Sequence, residues 1–314
     1  MRRFGPRMRS EAMQASANAD TSDARLAVPP QWLVRSRRTA LRGWRRVSSR
    51  ARALPDFVVI GAQKSGTTSL YRYLAAHPSV IRASVKELHY FDVNHRRGVD
   101  WYRSNFPSRR RLERLGGRQG RRAVTGEATP YYLFHPLVPQ RMHQLLPDAK
   151  LIVLLRDPVE RAISQHNHEV QDGFETLPFA EAIEVEAQRL PQSPDVLAAD
   201  DGSPAAFSHR HHSYLSRGRY AEQLEAWFAL YPRERFLIME SGELFDDPPA
   251  AVARTLAFLG LPPHELGSYD NVTSRTKSEI APDLRRRLYA YFAPHNQRLY
   301  ELLGTDFRWE DRAP

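Results

Sequence analysis

Residues 56–73 read DFVVIGAQKSGTTSLYRY, and no other stretch restricts the fold as tightly. The apolar run Phe57-Val58-Val59-Ile60 ends in Gly61, a glycine-bounded loop with one lysine follows, and Thr67-Thr68-Ser69 opens a segment with Leu70, Tyr73 and Leu74 at helical spacing. Strand, loop and helix N-terminus in that order form an anion cradle, because consecutive backbone amides and the positive end of the helix dipole converge. The usual nucleotide-binding loop places lysine directly after the second glycine and then a hydroxyl for Mg²⁺. Here Gly61 and Gly66 keep the spacing, but Thr67 occupies the lysine position and Lys64 lies inside the loop. Phosphate binding is expected; a triphosphate with magnesium is not required. The competing reading, a tight turn of incidental polarity, sits poorly with a lysine, two glycines and four hydroxyls in nine residues.

From Leu54 onward, apolar runs alternate with helical patterns, which predicts a parallel sheet with crossover helices. Strands are expected at Asp56–Gly61, Ser79–Ala83, Ala123–Gly126, Lys150–Leu155 and Arg235–Glu240, and helices near 67–76, 136–145, 158–170, 219–230, 249–258 and 283–302. Pro78, Pro147, Pro158 and Pro248 stand where helices should start or stop. The expected fold is α/β: a P-loop-like central parallel sheet with helices on both faces, one domain over 55–314. Residues 172–213 interrupt the pattern with an acidic helix-like piece, Phe179–Arg189, and a polar loop. This insertion suits a lid or acceptor-side element.

Charge separates the first 54 residues from the rest. They hold 13 arginines and no lysine against Glu11, Asp20 and Asp23, which is the whole net charge of +10. Residues 1–54 therefore read as a basic, largely disordered arm, and a specific nucleic-acid function would rest on that arm alone. Within it, residues 31–53 suit either a weak contact with an anionic membrane or a solvated linker; the imperfect apolar stripe favours the linker. The chain contains no cysteine, which excludes disulfides, thiolate zinc sites and cysteine nucleophiles. With no secretory signal either, a cytoplasmic protein is expected, peripheral at most to the inner membrane surface.

Three further motifs carry candidate chemistry. In LIVLLRDPVERAIS, Arg156 ends a buried-type strand and Ser164 lies two turns into the next helix, which suits a grip on a second phosphate; alternatively Asp157 caps the helix and Arg156 pairs with a carboxylate. In Lys86-Glu87-Leu88-His89-Tyr90-Phe91-Asp92, a carboxylate against aromatics suits a general base, while composition alone favours an ordinary charged turn. In Gly126-Glu127-Ala128-Thr129, Glu127 is a second base candidate. His209, His211 and His212 read as metal ligands or, more commonly, as solvated loop histidines. Arg217-Gly218-Arg219-Tyr220 and Ser274-Arg275-Thr276-Lys277 offer cations to an anionic ligand or merely flank helices.

These motifs, in this order, resemble the sulfotransferases that use 3′-phosphoadenosine 5′-phosphosulfate (PAPS), in the branch of the heparan sulfate O- and N-sulfotransferases and their bacterial relatives. The resemblance spans most of residues 55–310, including GVDWYRSNFP, RGRYAEQLEAWF and FAPHNQRLYELLG. It implies transfer of a sulfuryl group from PAPS to a hydroxyl or amine of a small-molecule or glycan acceptor, with no metal required. It places donor binding on Gln63, Lys64, Ser65, Gly66, Thr67, Thr68 and Ser69, with the 3′-phosphate on Arg156 and Ser164 and a late basic contact near Arg275 and Lys277. Lys64 becomes the catalytic lysine and Glu87 the base, with Glu127 second and His89 third. Lys86, Asp92 and Arg219 are candidate acceptor contacts. Many relatives carry lysine where this chain has Ala128, which removes a cation for an anionic acceptor. Two alternatives remain on the residues alone. One is a P-loop kinase or NTPase with Asp157 as a metal carboxylate, opposed by the displaced lysine. The other is a nucleic-acid or membrane-surface binder acting through the arm.

Overall fold

Five short runs of branched and aromatic residues pair into one parallel sheet, in the order β2-β3-β1-β4-β5. A computed structural model describes residues 45–191, 193–199, 203–269 and 280–313. In chain order the elements are β1 (Phe57–Gly61), α1 (Thr67–Ala76), β2 (Val80–Arg82), α2 (Val99–Arg103), α3 (Arg109–Gln119), β3 (Val124–Ala128), α4 (Val138–Leu145), β4 (Lys150–Leu155) and α5 (Pro158–Gln171). There follow α6 (Phe179–Glu184), α7 (Glu186–Arg189), α8 (Pro204–His211), α9 (Tyr220–Phe228), β5 (Phe236–Glu240), α10 (Ser241–Asp246), α11 (Pro248–Leu259) and α12 (Pro282–Leu303). Each expected strand and helix is present within a few residues. The acidic piece is two short helices, α6 and α7, broken at Val185. Among the described residues no helix is long and apolar enough to cross a membrane.

Parallel strands must be covered on both faces, and alternation along β1 sends successive side chains to opposite layers. Val58 and Ile60 pack with Leu224 and Trp227 of α9 and Leu299 of α12. Phe57 and Val59 pack with Leu70 and Leu74 of α1 and Val252 and Leu256 of α11. A third cluster joins Val159 and Ala162 of α5 to Phe179 and Ile183 of α6 and Phe292 of α12, anchoring the insertion to the sheet domain. Before β1, Arg52 is buried and its Nη1 donates to Phe106 O at 2.8 Å, while Ser49 Oγ donates to Asp100 Oδ1 at 2.7 Å. Residues 45–54, read from sequence as the end of the arm, thus lie against α2. The earlier part of the arm is outside the described residues.

After β1 the chain moves to one edge of the sheet, and after β4 to the other, so β1 and β4 flank the switch point where open α/β sheets bind ligands. Proline and aspartate set the helix that leaves β4. Asp157 Oδ1 accepts from Val159 N (2.8 Å) and Glu160 N (3.3 Å), and Pro158 fills the first turn, where no amide is needed. Across the sheet Gly126 faces Phe57, and a Cβ there would lie 2.5 Å from the ring. Gly126→Ala should therefore cost about 1–3 kcal/mol, read as a lower urea midpoint with an unchanged slope. An unchanged midpoint would mean that the ring moves aside freely.

Candidate active site

Beyond the carboxyl ends of the strands lies a cavity of ≈ 1040 Å³. The loop after β1 forms its floor. Gly61 is required because a Cβ there would sit 2.5 Å from Leu133 Cβ, and Gly66 turns the chain into α1 at φ 90°, with Phe245 closing over it. Gln63, Lys64, Gly66, Thr67 and Thr68 line the cavity. Ser65 and Ser69 are buried, and their hydroxyls meet no hydrogen-bond partner among the described residues. Burial lowers the Lys64 pKa, the carboxylate of Glu169 opposes this, and Arg156 adds to it. The loop after β4 is tied to this floor: Arg156 Nη1 donates to Lys64 O at 3.1 Å, and Ser164 faces the same cavity.

The loop after β2 makes the opposite wall. Glu87 N donates to Ala128 O at 3.1 Å, fixing the loop on the end of β3. Lys86 Nζ bridges Thr68 Oγ1 (2.7 Å) and Glu87 Oε1 (2.5 Å), so one ammonium links this wall to α1. Glu87 Oε2 is 3.6 Å from His89 Nε2, and His89 Nδ1 is 2.7 Å from Asp92 Oδ2. Lys64, Glu87 and His89 hold left-handed backbone at φ 69°, 57° and 50°, three of the four non-glycine residues that do so among those described. Such conformations cost of order 1–3 kcal/mol and gather at functional sites.

Charge within this chain of groups is ordered. Burial pushes the Glu87 carboxyl up, but His89 and Lys86 outweigh it and hold its pKa at about 2. Burial pushes His89 down, yet Asp92 and Glu87 outweigh that and raise it to about 9, against the opposing charge of Arg210. A histidine raised in the folded state stabilises it fully below its unfolded value of 6.5, and this contribution disappears as pH rises through about 9. His89→Gln should therefore destabilise the chain more at pH 6 than at pH 10, as measured by urea unfolding of both proteins at each pH. An equal loss at both would show that His89 is not charged.

Other residues singled out from sequence fall elsewhere. Asp92 is fully buried behind His89, its Oδ1 accepting from Val93 N at 2.6 Å, so it backs a wall residue rather than facing an acceptor. Glu127 lies inside β3, not beyond it. Tyr102 OH donates to its Oε1 at 2.5 Å and Thr129 Oγ1 to its Oε2 at 3.0 Å; burial raises its pKa to about 7, and it does not reach the cavity. Arg219 turns outward, 3.7 Å from Glu222, and its neighbour Arg217 enters the cavity wall instead. Arg217 is buried over the rings of Tyr131 (4.8 Å) and Phe134 (5.1 Å), donates to Gln63 Oε1, and is lowered to about 10 by burial. Arg275 and Lys277 lie outside the described residues.

The three histidines of the insertion diverge: His209 is beside Tyr131 OH (2.6 Å), His211 beside Glu169 (2.8 Å) and His212 beside Phe174 O (3.0 Å). Asp157 has both oxygens engaged, since Tyr289 OH donates to Oδ2 at 2.8 Å. Arg210 and Glu169 were missed from sequence as cavity residues, and Arg217 was named only as part of its motif, with Arg219 preferred as the contact. His168 and Asp172 had a usable signal, because the stripe that contains Ser164 continues to them at helical spacing, whereas Glu169 lies off that stripe.

A family model described as a sulfotransferase domain matches residues 54–279. Human heparan sulfate glucosamine 3-O-sulfotransferase 6 is 31% identical over 82% of this chain and 74% of that protein. The membrane-associated sulfotransferase kil1 of Dictyostelium discoideum is 27% identical over 84% of this chain and 68% of that protein. The crystal structure of a sulfotransferase from Alicyclobacillus acidocaldarius superposes with a TM-score of 0.58 at 33% identity, covering 82% of this chain and 99% of that one.

Proposed function

This chain belongs to the sulfotransferase family and is a PAPS-dependent sulfotransferase; from that premise we propose how its cavity divides the work. The observation that carries the reading is that Lys64, Glu87, Arg156 and Ser164, from three separate loops and a helix, line one cavity. The donor, when bound, supplies a sulfuryl group activated by its bond to the 5′-phosphate.

The loop Gln63–Ser69, a variant of the phosphate-binding loop, holds the 5′ end with first-turn amides of α1 and its hydroxyls. The unpartnered Ser65 and Ser69 hydroxyls and the left-handed Gly66 fit that task. Arg156 and Ser164 hold the 3′-phosphate. Glu87 accepts the proton of the acceptor hydroxyl or amine, while the Lys64 ammonium meets the negative charge that develops on the phosphate oxygen. His89 and Asp92 orient Glu87 from behind. Countercharge thus comes from a side chain, and Asp157, the carboxylate a metal would need beside this loop, is committed to capping α5 and to Tyr289.

Calorimetry with adenosine 3′,5′-bisphosphate and adenosine 5′-phosphate tests the division. Arg156→Ala should weaken the bisphosphate by about 10–100-fold and the monophosphate little, since a charged hydrogen bond contributes about 1.5–3 kcal/mol. Equal losses for both nucleotides would remove Arg156 from the 3′-phosphate.

A further inference from the structure

Helix α5 runs the length of the cavity, lining it with Glu160, Ser164, Asn167, His168, Gln171 and Asp172 on one helical stripe. Eight residues separate Ser164 from Asp172, about 12 Å along the axis, so the end of α5 lies well beyond the donor-binding end. Two properties distinguish this far end.

The first is its charge. Three of the seven lysines and arginines that line the cavity are paired with its carboxylates, Lys86 with Glu87 (2.5 Å), Arg285 with Glu160 (2.5 Å) and Arg312 with Glu240 (3.5 Å), and Arg217 is buried over Tyr131 and Phe134. Lys64 and Arg156 serve the donor, whose two phosphorylated ends already place several negative charges in the cavity. The carboxylates of the far end are Glu169 and Asp172. Glu169 and Asp172 have histidine neighbours, His211 at 2.8 Å and His168 at 3.6 Å, and both carboxylates act on the charge of Lys64. Arg210, on α8 next to His211, extends its guanidinium away from these carboxylates to within 3.3 Å of His89 Nε2. An acceptor dense in sulfates would meet repulsion from the donor and from these carboxylates together.

The second is an aromatic ledge. Phe174 lines the cavity and is 42% exposed, and Phe207 is 37% exposed. Their rings meet edge to face at 5.7 Å, and the His211 ring lies against both, at 4.4 and 4.5 Å. Large exposed apolar rings at the mouth of a catalytic cavity are a place to bury an apolar ligand surface.

Resting on the sulfotransferase reading, we infer that the acceptor is an uncharged alcohol with an apolar face, and not a polyanionic glycan. Its hydroxyl gives its proton to Glu87 and forms the new O–S bond, the S–O bond to the phosphate breaks with its electron pair left on the phosphate, and the apolar face rests on Phe174 and Phe207. The products are a sulfate monoester and adenosine 3′,5′-bisphosphate.

The test uses the full chain and labelled PAPS with octyl glucoside, methyl glucoside, a sterol, a simple phenol and an N-sulfated heparan oligosaccharide. Transfer is expected to one or more of the apolar alcohols, with octyl glucoside favoured over methyl glucoside wherever the sugar reacts, and not to the sulfated oligosaccharide. Phe174→Ser should raise KM for the accepted alcohol by about tenfold with kcat held, and calorimetry should show bisphosphate affinity unchanged. Transfer confined to the sulfated oligosaccharide, to methyl glucoside, or to none of the five while the bisphosphate still binds overturns the inference alone, as does an unaltered KM in Phe174→Ser. Failure of the wild type to bind the bisphosphate would overturn the donor assignment beneath it.

Discussion

Glu87→Gln should lower kcat by about 10²–10⁴-fold while bisphosphate affinity stays within about twofold, because general-base catalysis is lost without a change of shape. The amide keeps the size of the carboxyl and can still accept from Lys86, so the loop has no steric reason to move. What it loses is the ability to take a proton. At pH 7 the wild-type group is fully ionised, its pKa held at about 2 by His89 and Lys86. A base so weak in isolation would act through placement: the Lys86 ammonium that bridges it to Thr68 holds it against α1, the helix that follows the Lys64 loop. Single-turnover rates with saturating donor check this. Glu127→Gln is the informative partner. Glu127 accepts from Tyr102 and Thr129 and stands behind the wall, so its substitution should act on stability and leave single-turnover chemistry nearly intact. A larger kinetic loss from Glu127→Gln than from Glu87→Gln would move the base to β3.

Lys64→Ala should cost about 3–4 kcal/mol of barrier, about 10²–10³-fold in kcat, the loss typical when one preorganised charge-stabilising donor is removed. Lys64→Arg should rescue little. The loop holds residue 64 at φ 69° under Arg156, whose Nη1 donates to its carbonyl, and a planar guanidinium spreads its charge over a fork where an ammonium concentrates it at one point. The split between parameters decides the role. A fall in kcat with donor affinity little changed places Lys64 on the breaking bond; a fall in affinity alone would make it a ground-state anchor.

How far the sequence could be read depends on the kind of signal each residue leaves. The strands of the sheet are short apolar runs, and the helices between them carry apolar stripes or begin at proline, so both were legible. Helix α3 was not, because its eleven residues include five arginines and only Leu112 and Leu115 as apolar anchors. Its marks are at the ends, where Ser108 Oγ accepts from Arg111 N and Gly120 turns left-handed, and a search for periodicity does not see them. Arg217 and Arg219 carry the same chemistry two residues apart. What holds Arg217 inward lies outside the motif: its Nε donates to Ser213 Oγ at 2.7 Å and its guanidinium lies over the rings of Tyr131 and Phe134. Asp92 and Glu127 look like exposed acids in sequence, and the fold buries both.

Local signals were enough for the strands of the sheet, the glycine-bounded loop after β1 with Lys64 inside it, and the spacing that sets Ser164 two turns beyond Arg156, because each depends on neighbours within one or two helical turns. Which carboxylate faces the cavity, which arginine enters it and what lines the far end of α5 emerged with the packing of distant segments. Those depend on contacts between segments tens to hundreds of residues apart, and burial there changes both the direction and the charge of a side chain in ways that local spacing does not encode.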